Sequence, residues 1–217
     1  MKFGLIFGTM LISAVLAHTA QGAIVGITFC SGAMTCAVTT QPPDPVSPDP
    51  NDGVFLAWEE IQHLTLTASL QVDRVLDPNA SYVDDLGGGV YMLQPGLTVS
   101  SHYVQWDPGN DSSSRAVITL NFDGVVLGFI TSDQNLNWSN STLGLWSIDY
   151  GNFGNRGLEE DDITNISGYN AILSWDADSP GDWARIITAA APVPVPPSGF
   201  AAAAAFASLS LLRYRRS

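Results

Sequence analysis

Between Val54 and Thr188 the chain alternates apolar and polar residues over short stretches, and turn-forming residues separate those stretches. A period of two is what a strand with one buried face requires, because successive side chains leave opposite sides of the backbone. In Arg115–Phe122, Ala116, Ile118, Leu120 and Phe122 share one side while Thr119 and Asn121 share the other. Asp123-Gly124 follows, a pair favoured in two-residue hairpin turns, so a return strand is expected over Val125–Thr131. Compact apolar runs predict strands at Ile24–Phe29 and Val54–Trp58, alternation predicts one at Ile61–Val72, and short strands are expected at Val90–Leu93 and Leu97–Asp107. Further strands are expected at Ile163–Ser167, Ala171–Trp175 and Trp183–Thr188, the first two joined at Gly168-Tyr169-Asn170. Asp84–Gly89 reads as a turn and Asp107–Ser114 as a loop. Many short strands with little helix predict an all-β domain over residues 54–191, a two-sheet β-sandwich of jelly-roll-like form.

Residues 23–53 differ in character. Gln41–Gly53 (QPPDPVSPDPNDG) is rich in proline, which donates no backbone hydrogen bond, so neither helix nor ladder is expected there. Cys30 and Cys36 are the only cysteines. In an exported chain they suit one disulfide closing a short loop. A metal site would need more ligands, and His63 and His102 lie in unrelated segments.

Charge narrows the partners. All 21 acidic residues fall between Asp44 and Asp182, where only Arg74, Arg115, Arg156 and Arg185 oppose them and lysine is absent. Such a surface repels nucleic acid. It suits an outer-surface setting or cation binding, and it equally suits a generally acidic proteome.

Candidate chemistry is sparse. Asp133, Asn135 and Asn137 alternate as the oxygen ligands of a calcium loop do, and Ser139 extends the series. Trp138 and Gly144 stand where an EF-hand needs Gly and Glu, which excludes that motif. A looser calcium site could combine these oxygens with Asp161 or Asp162; the alternative is an Asn-rich loop capping its own backbone. Glu159 to Asp162 reads as a solvated loop or a cation-neutralised one. Arg156 is expected beside Glu159, and Arg185 beside Asp182. No Gly-x-Ser-x-Gly or His-Glu-x-x-His occurs. His102 is in register with Val104 and Trp106, which suits a structural histidine, and abundant acids alone do not define a hydrolase. Trp138 and Trp146 lie among Asn and Ser residues and are candidates for stacking on extracellular polysaccharide; core packing is the alternative, and it is expected for Trp175. No catalytic residue is assigned.

The ends are apolar. Lys2, the run Phe3–Ala17 and small residues at Ala20, Gly22 and Ala23 read as a secretory signal helix in residues 1–22, with cleavage after Gly22. Removing it and the tail leaves about 170 residues, enough for one core. Residues 192–217 hold the proline strip Val193, Pro194, Val195, Pro196, Pro197, then an uncharged run Gly199–Leu212, then Arg213, Arg215 and Arg216. The run can form a hydrophobic helix, with the arginines on the cytoplasmic side. It is short for a span, which suits a processing signal better than a permanent anchor.

This tail, VPVPPSGFAAAAAFASLSLLRYRRS, resembles the PEP-CTERM sorting signals of exported bacterial proteins, in particular the VPLPA-CTERM variant, with VPVPP where that variant has VPLPA. The resemblance implies an exosortase-type membrane peptidase as partner, inner-membrane anchoring through the helix, and delivery to the cell surface or beyond. SSHYVQWDP, VVLGFITSDQNLNWSNSTLG, RGLEEDD and SPGDWARIIT are similar to segments of exported proteins that carry such tails. The expectation is a non-catalytic protein of the cell envelope or extracellular matrix. A carbohydrate- or calcium-binding module and an exported hydrolase are the alternatives.

Overall fold

The structure is a computed structural model that describes residues 21–33, 35–109, 114–178 and 180–190; both expected terminal helices and the sorting tail lie outside them. Among the described residues no helix is long and apolar enough to cross a membrane. The fold is mostly β, in three sheets, with elements numbered in chain order. The first sheet has the order β1 (Ile24–Ser31), β10 (Ser114–Phe122), β13 (Asn170–Ala177), β12 (Ile163–Ser167), all antiparallel. The central sheet runs β2 (Thr35–Thr39), β3 (Val54–Glu59), β9 (Thr98–Trp106), β14 (Asp182–Ala189), β11 (Val126–Ile130), β6 (Arg74–Val75). In it β4 (Leu64–Thr65) also pairs with β9. A small third sheet joins β5 (Leu70–Val72), β8 (Tyr91–Leu93) and β7 (Val83–Asp85).

Alternation explains the packing. Ala116, Ile118, Leu120 and Phe122 of β10 face inward as expected, and with Ala171, Leu173 and Trp175 of β13 they meet Phe55, Val104, Trp106, Phe129 and Ile186 of the central sheet. Phe55 stacks 6.0 Å from Trp106 and lies 5.0 Å from Trp175. The sandwich therefore exists, but its central sheet is covered on both faces. Trp58, Tyr103, Trp183 and Ile187 point away from the first sheet and pack under Leu136, Leu143 and the third sheet. Each residue of β14 is buried, and β9 is buried from Val99 onward.

Two expectations about strands fail for identifiable reasons. Asp123-Gly124 does not close a hairpin: β11 leaves β10 and enters the central sheet beside β14. The corner is held by Asp123, whose carboxylate accepts the Ala23 N–H at 2.7 Å. Gly124 packs so tightly that a Cβ there would lie 2.1 Å from the Ala189 carbonyl. Nor is Ile61–Val72 one strand. Leu66 is pinned by backbone bonds to Leu97 and Gly96, after which the chain leaves the edge of the central sheet and starts the third one.

Cys30 and Cys36 are joined by a disulfide. Because β1 and β2 belong to different sheets, the bond ties the two layers together at that edge. The proline-rich stretch carries no strand, yet Val46 is buried and its N–H donates to the Asp149 carbonyl at 2.8 Å.

Candidate functional site

Asp133, Asn135 and Asn137 lie in a helix, α1 (Asp133–Leu143), rather than in a calcium-type loop. Alternate residues on a helix are turned about 200° apart, so Asn135 points away from Asp133 and Asn137. Asp133 accepts the backbone N–H groups of Asn155, Arg156 and Gly157. The Asn135 amide donates to Asp73 at 2.6 Å. Asp73 also takes the N–H groups of Thr131 and Ser132, at 2.6 and 2.8 Å, and so holds the two residues that lead into the helix. Asn135, Leu136, Ser139 and Leu143 form the buried face, and Gln134, Asn137 and Trp138 are left on the outer one.

That outer face is one wall of an open concavity of about 380 Å³, lined by Gln134, Asn137, Trp138, Asn140, Gly151 and Asn152. Among the described residues its lining holds an indole and four primary amides and no charged side chain. Both walls are fixed from behind. Arg185 of β14 donates to the Leu136 carbonyl, to Ser139 Oγ and, at 3.0 Å, to Asn140 Oδ1, so the Asn140 amide is oriented by a buried cation. Arg156 is fully buried; its Nη2 donates to the Tyr150 and Gly151 carbonyls, and its guanidinium covers Phe153 at 4.2 Å. Neither arginine takes its expected partner. Arg185 pairs with Glu60 instead of Asp182, and Arg156 holds the loop carbonyls instead of Glu159. Glu60 wins because it enters the same buried layer as Arg185, whereas Asp182 lies on the opposite face of β14.

Trp138 is 64% exposed and Trp146 is 95% exposed, but Trp146 is not among the residues lining the concavity. Trp58, Trp106, Trp175 and Trp183 are core. His102 is buried, with Nε2 3.0 Å from Thr188 Oγ1 and the ring against Phe122; burial lowers its pKa from 6.5 to about 3.

A second constellation lies at one end of the sandwich. Glu159, Asp162 and Asp182 bring one carboxylate oxygen each to within 4.8 Å of one another. Asp182 opens β14 in the central sheet, and Asp162 immediately precedes β12 in the first sheet. Asp162 accepts the Glu159 and Asp176 N–H groups at 3.0 and 2.8 Å. Asp182 is buried, and among the described residues its Oδ2 has no hydrogen-bond partner. Burial, then the Asp162 charge, pushes its pKa up to about 9. Burial raises Asp162 and the nearby Asp107 as well. Glu159 and Asp162 stand in one sequence run, whereas nothing local marks Asp182 as their neighbour. Asp161 is exposed and outside the cluster.

No protein-family model matches the chain, and neither a curated protein nor a solved structure does.

Proposed function

We propose that this chain is a non-catalytic exported protein of the cell envelope or extracellular matrix that holds neutral polysaccharide in the Trp138 concavity. The observation that carries this reading is the lining: one accessible indole beside Gln134, Asn137, Asn140 and Asn152, with no charge. An indole face covers the apolar side of a sugar ring. Gln134 and Asn152 offer amide donors and acceptors to ring hydroxyls, while Asn137 and Asn140, whose Oδ1 atoms are turned inward, offer their N–H donors. The volume lies near the lower end of the roughly 300–1,000 Å³ typical of small-molecule sites, which suits a short stretch of saccharide.

Export and sorting rest on the two apolar ends, with the tail handled by an exosortase-type peptidase. The disulfide is compatible with that oxidising destination. Within the mostly-β fold we read the sandwich as jelly-roll-like, since β9, β10 and β11 alternate between the two large sheets while β13 and β14 return beside them. The hydrolase alternative gains little from the acidic cluster. Its oxygens are within 4.8 Å of one another, closer than the roughly 5–9.5 Å between carboxyl groups that flank a glycosidic bond.

A glycan array probed with the full chain tests the binding reading. Retention on neutral glycans supports it, and retention on none removes it. Mass spectrometry of the C-terminus in cells, looking for loss of residues after Val193, tests the sorting.

A further inference from the structure

We propose that Glu159, Asp162 and Asp182 bind a calcium ion that staples the two large sheets together at their open end. This does not depend on the polysaccharide reading, because the three residues take no part in the Trp138 concavity.

Three carboxylates converge within 4.8 Å, and among the described residues none of them is within ion-pair distance of an arginine. Arg74 reaches only the Asp162 backbone carbonyl, at 3.4 Å. Acidic clusters on loops are ordinarily relieved by water. Here the inner wall is closed to it: Asp182 is 2% exposed, and its Oδ2 meets no donor among the described residues. A buried carboxylate oxygen without a donor is costly unless the group keeps a proton or a cation takes that proton's place, and three oxygens this close offer a cation more ligands than a proton can use. Asp182 shares the side of β14 that carries Ala184 and Ile186, which face the first sheet, so it is directed into the gap where Asp162 stands.

Donor chemistry selects the ion. All three ligands are hard carboxylate oxygens, with no His or Cys in the cluster, which suits calcium or magnesium over zinc or copper. Glu159 is exposed, so water can complete an irregular coordination shell on that side. Magnesium demands near-ideal octahedral geometry, and calcium tolerates such a shell. The link is structural: Asp182 belongs to the central sheet, while Glu159 and Asp162 lead into the first. A bound ion therefore joins the layers beside β12, at the edge of the first sheet opposite β1, where the disulfide joins them through β1 and β2.

The test uses the full chain stripped with chelator. Calcium at about a hundredfold above its Kd should raise the thermal midpoint by roughly 5–10 °C. Magnesium at the same concentration should do much less. Terbium used as a calcium probe should show emission sensitised by tryptophan, since Trp183 follows Asp182. Asp182→Asn should abolish both effects. If that variant fails to fold, Glu159→Gln at the exposed ligand should weaken calcium binding at least about tenfold (~1.4 kcal/mol) while keeping the native circular dichroism. A midpoint identical in calcium and chelator overturns the proposal. So does a calcium effect that survives in both variants, and an equal response to magnesium overturns the choice of ion.

Discussion

Arg185 and Glu60 form a bidentate pair, Nε to Oε2 at 2.6 Å and Nη2 to Oε1 at 2.8 Å, with both side chains fully buried. Every remaining guanidinium N–H is directed at α1, to Leu136, Ser139 and Asn140, and Ser101 completes the Glu60 carboxylate at 2.6 Å. Burial opposes the arginine's charge, but Glu60 more than offsets it, and the net effect raises its pKa. The pair thus fixes the helix that carries Trp138 onto the sheet beneath. Arg185→Met should cost about 3–5 kcal/mol, because Glu60 is left charged and buried without its partner. Converting Glu60 to Leu in the same chain should recover part of that loss, as read by urea unfolding of both single variants and the double one.

Replacing Cys30 and Cys36 by serine opens a short loop and releases one tie between the sheets. A loss of about 2 kcal/mol is expected from loop closure alone. Unfolding of the native protein with and without reductant should give the same difference, and should leave the serine variant unchanged.

His102 supplies a pH signature. It is neutral when folded, with a pKa of about 3 against 6.5 unfolded. Its contribution is fully present above pH 6.5 and is lost as pH falls toward 3, at about 1.4 kcal/mol per pH unit within that window. His102→Gln should remove this part of the slope. Denaturation midpoints of the two proteins at pH 7, 5 and 4 provide the comparison.

Cleavage after Gly22, within the export proposed above, would remove two contacts that Gln21 and Gly22 make with the domain. Thr188 Oγ1 donates to the Gly22 carbonyl at 2.7 Å, and Ser100 Oγ donates to the Gln21 carbonyl at 2.8 Å. Cutting after Ala20 keeps both contacts and leaves the new N-terminus 3.3 Å from Asp123 Oδ2. If the proposed export and leader removal take place, N-terminal sequencing of the processed chain should begin at Gln21.

What the sequence made legible follows from how many faces an element buries. β10 was readable because only one face meets the core, so its apolar residues alternate cleanly. β14 was expected as a strand over Trp183–Thr188, but its burial on both faces was not legible, because Asp182, Arg185 and Thr188 read as solvent-facing and no alternation marks a strand covered on both sides. In α1, oxygen-bearing side chains at alternate positions imitated a metal loop. The helical signals were Ser132-Asp133 at the start and Leu136 and Leu143 seven residues apart. The exposure of Trp138 was legible from its polar neighbours. Its wall residues Gly151 and Asn152 were not, because Arg156 and Asp133 bring them in by contacts no spacing rule encodes. The Glu60–Arg185 pair spans 125 residues and could not be read locally.

Affinity electrophoresis of the full chain through gels containing neutral polysaccharide tests the binding account most directly. Wild-type protein should be retarded, and Trp138→Ala should migrate at least about tenfold less tightly bound with its circular dichroism unchanged. Trp146→Ala, outside the concavity, should behave as wild type. Equal retardation of wild type and Trp138→Ala, or none for either, would contradict it.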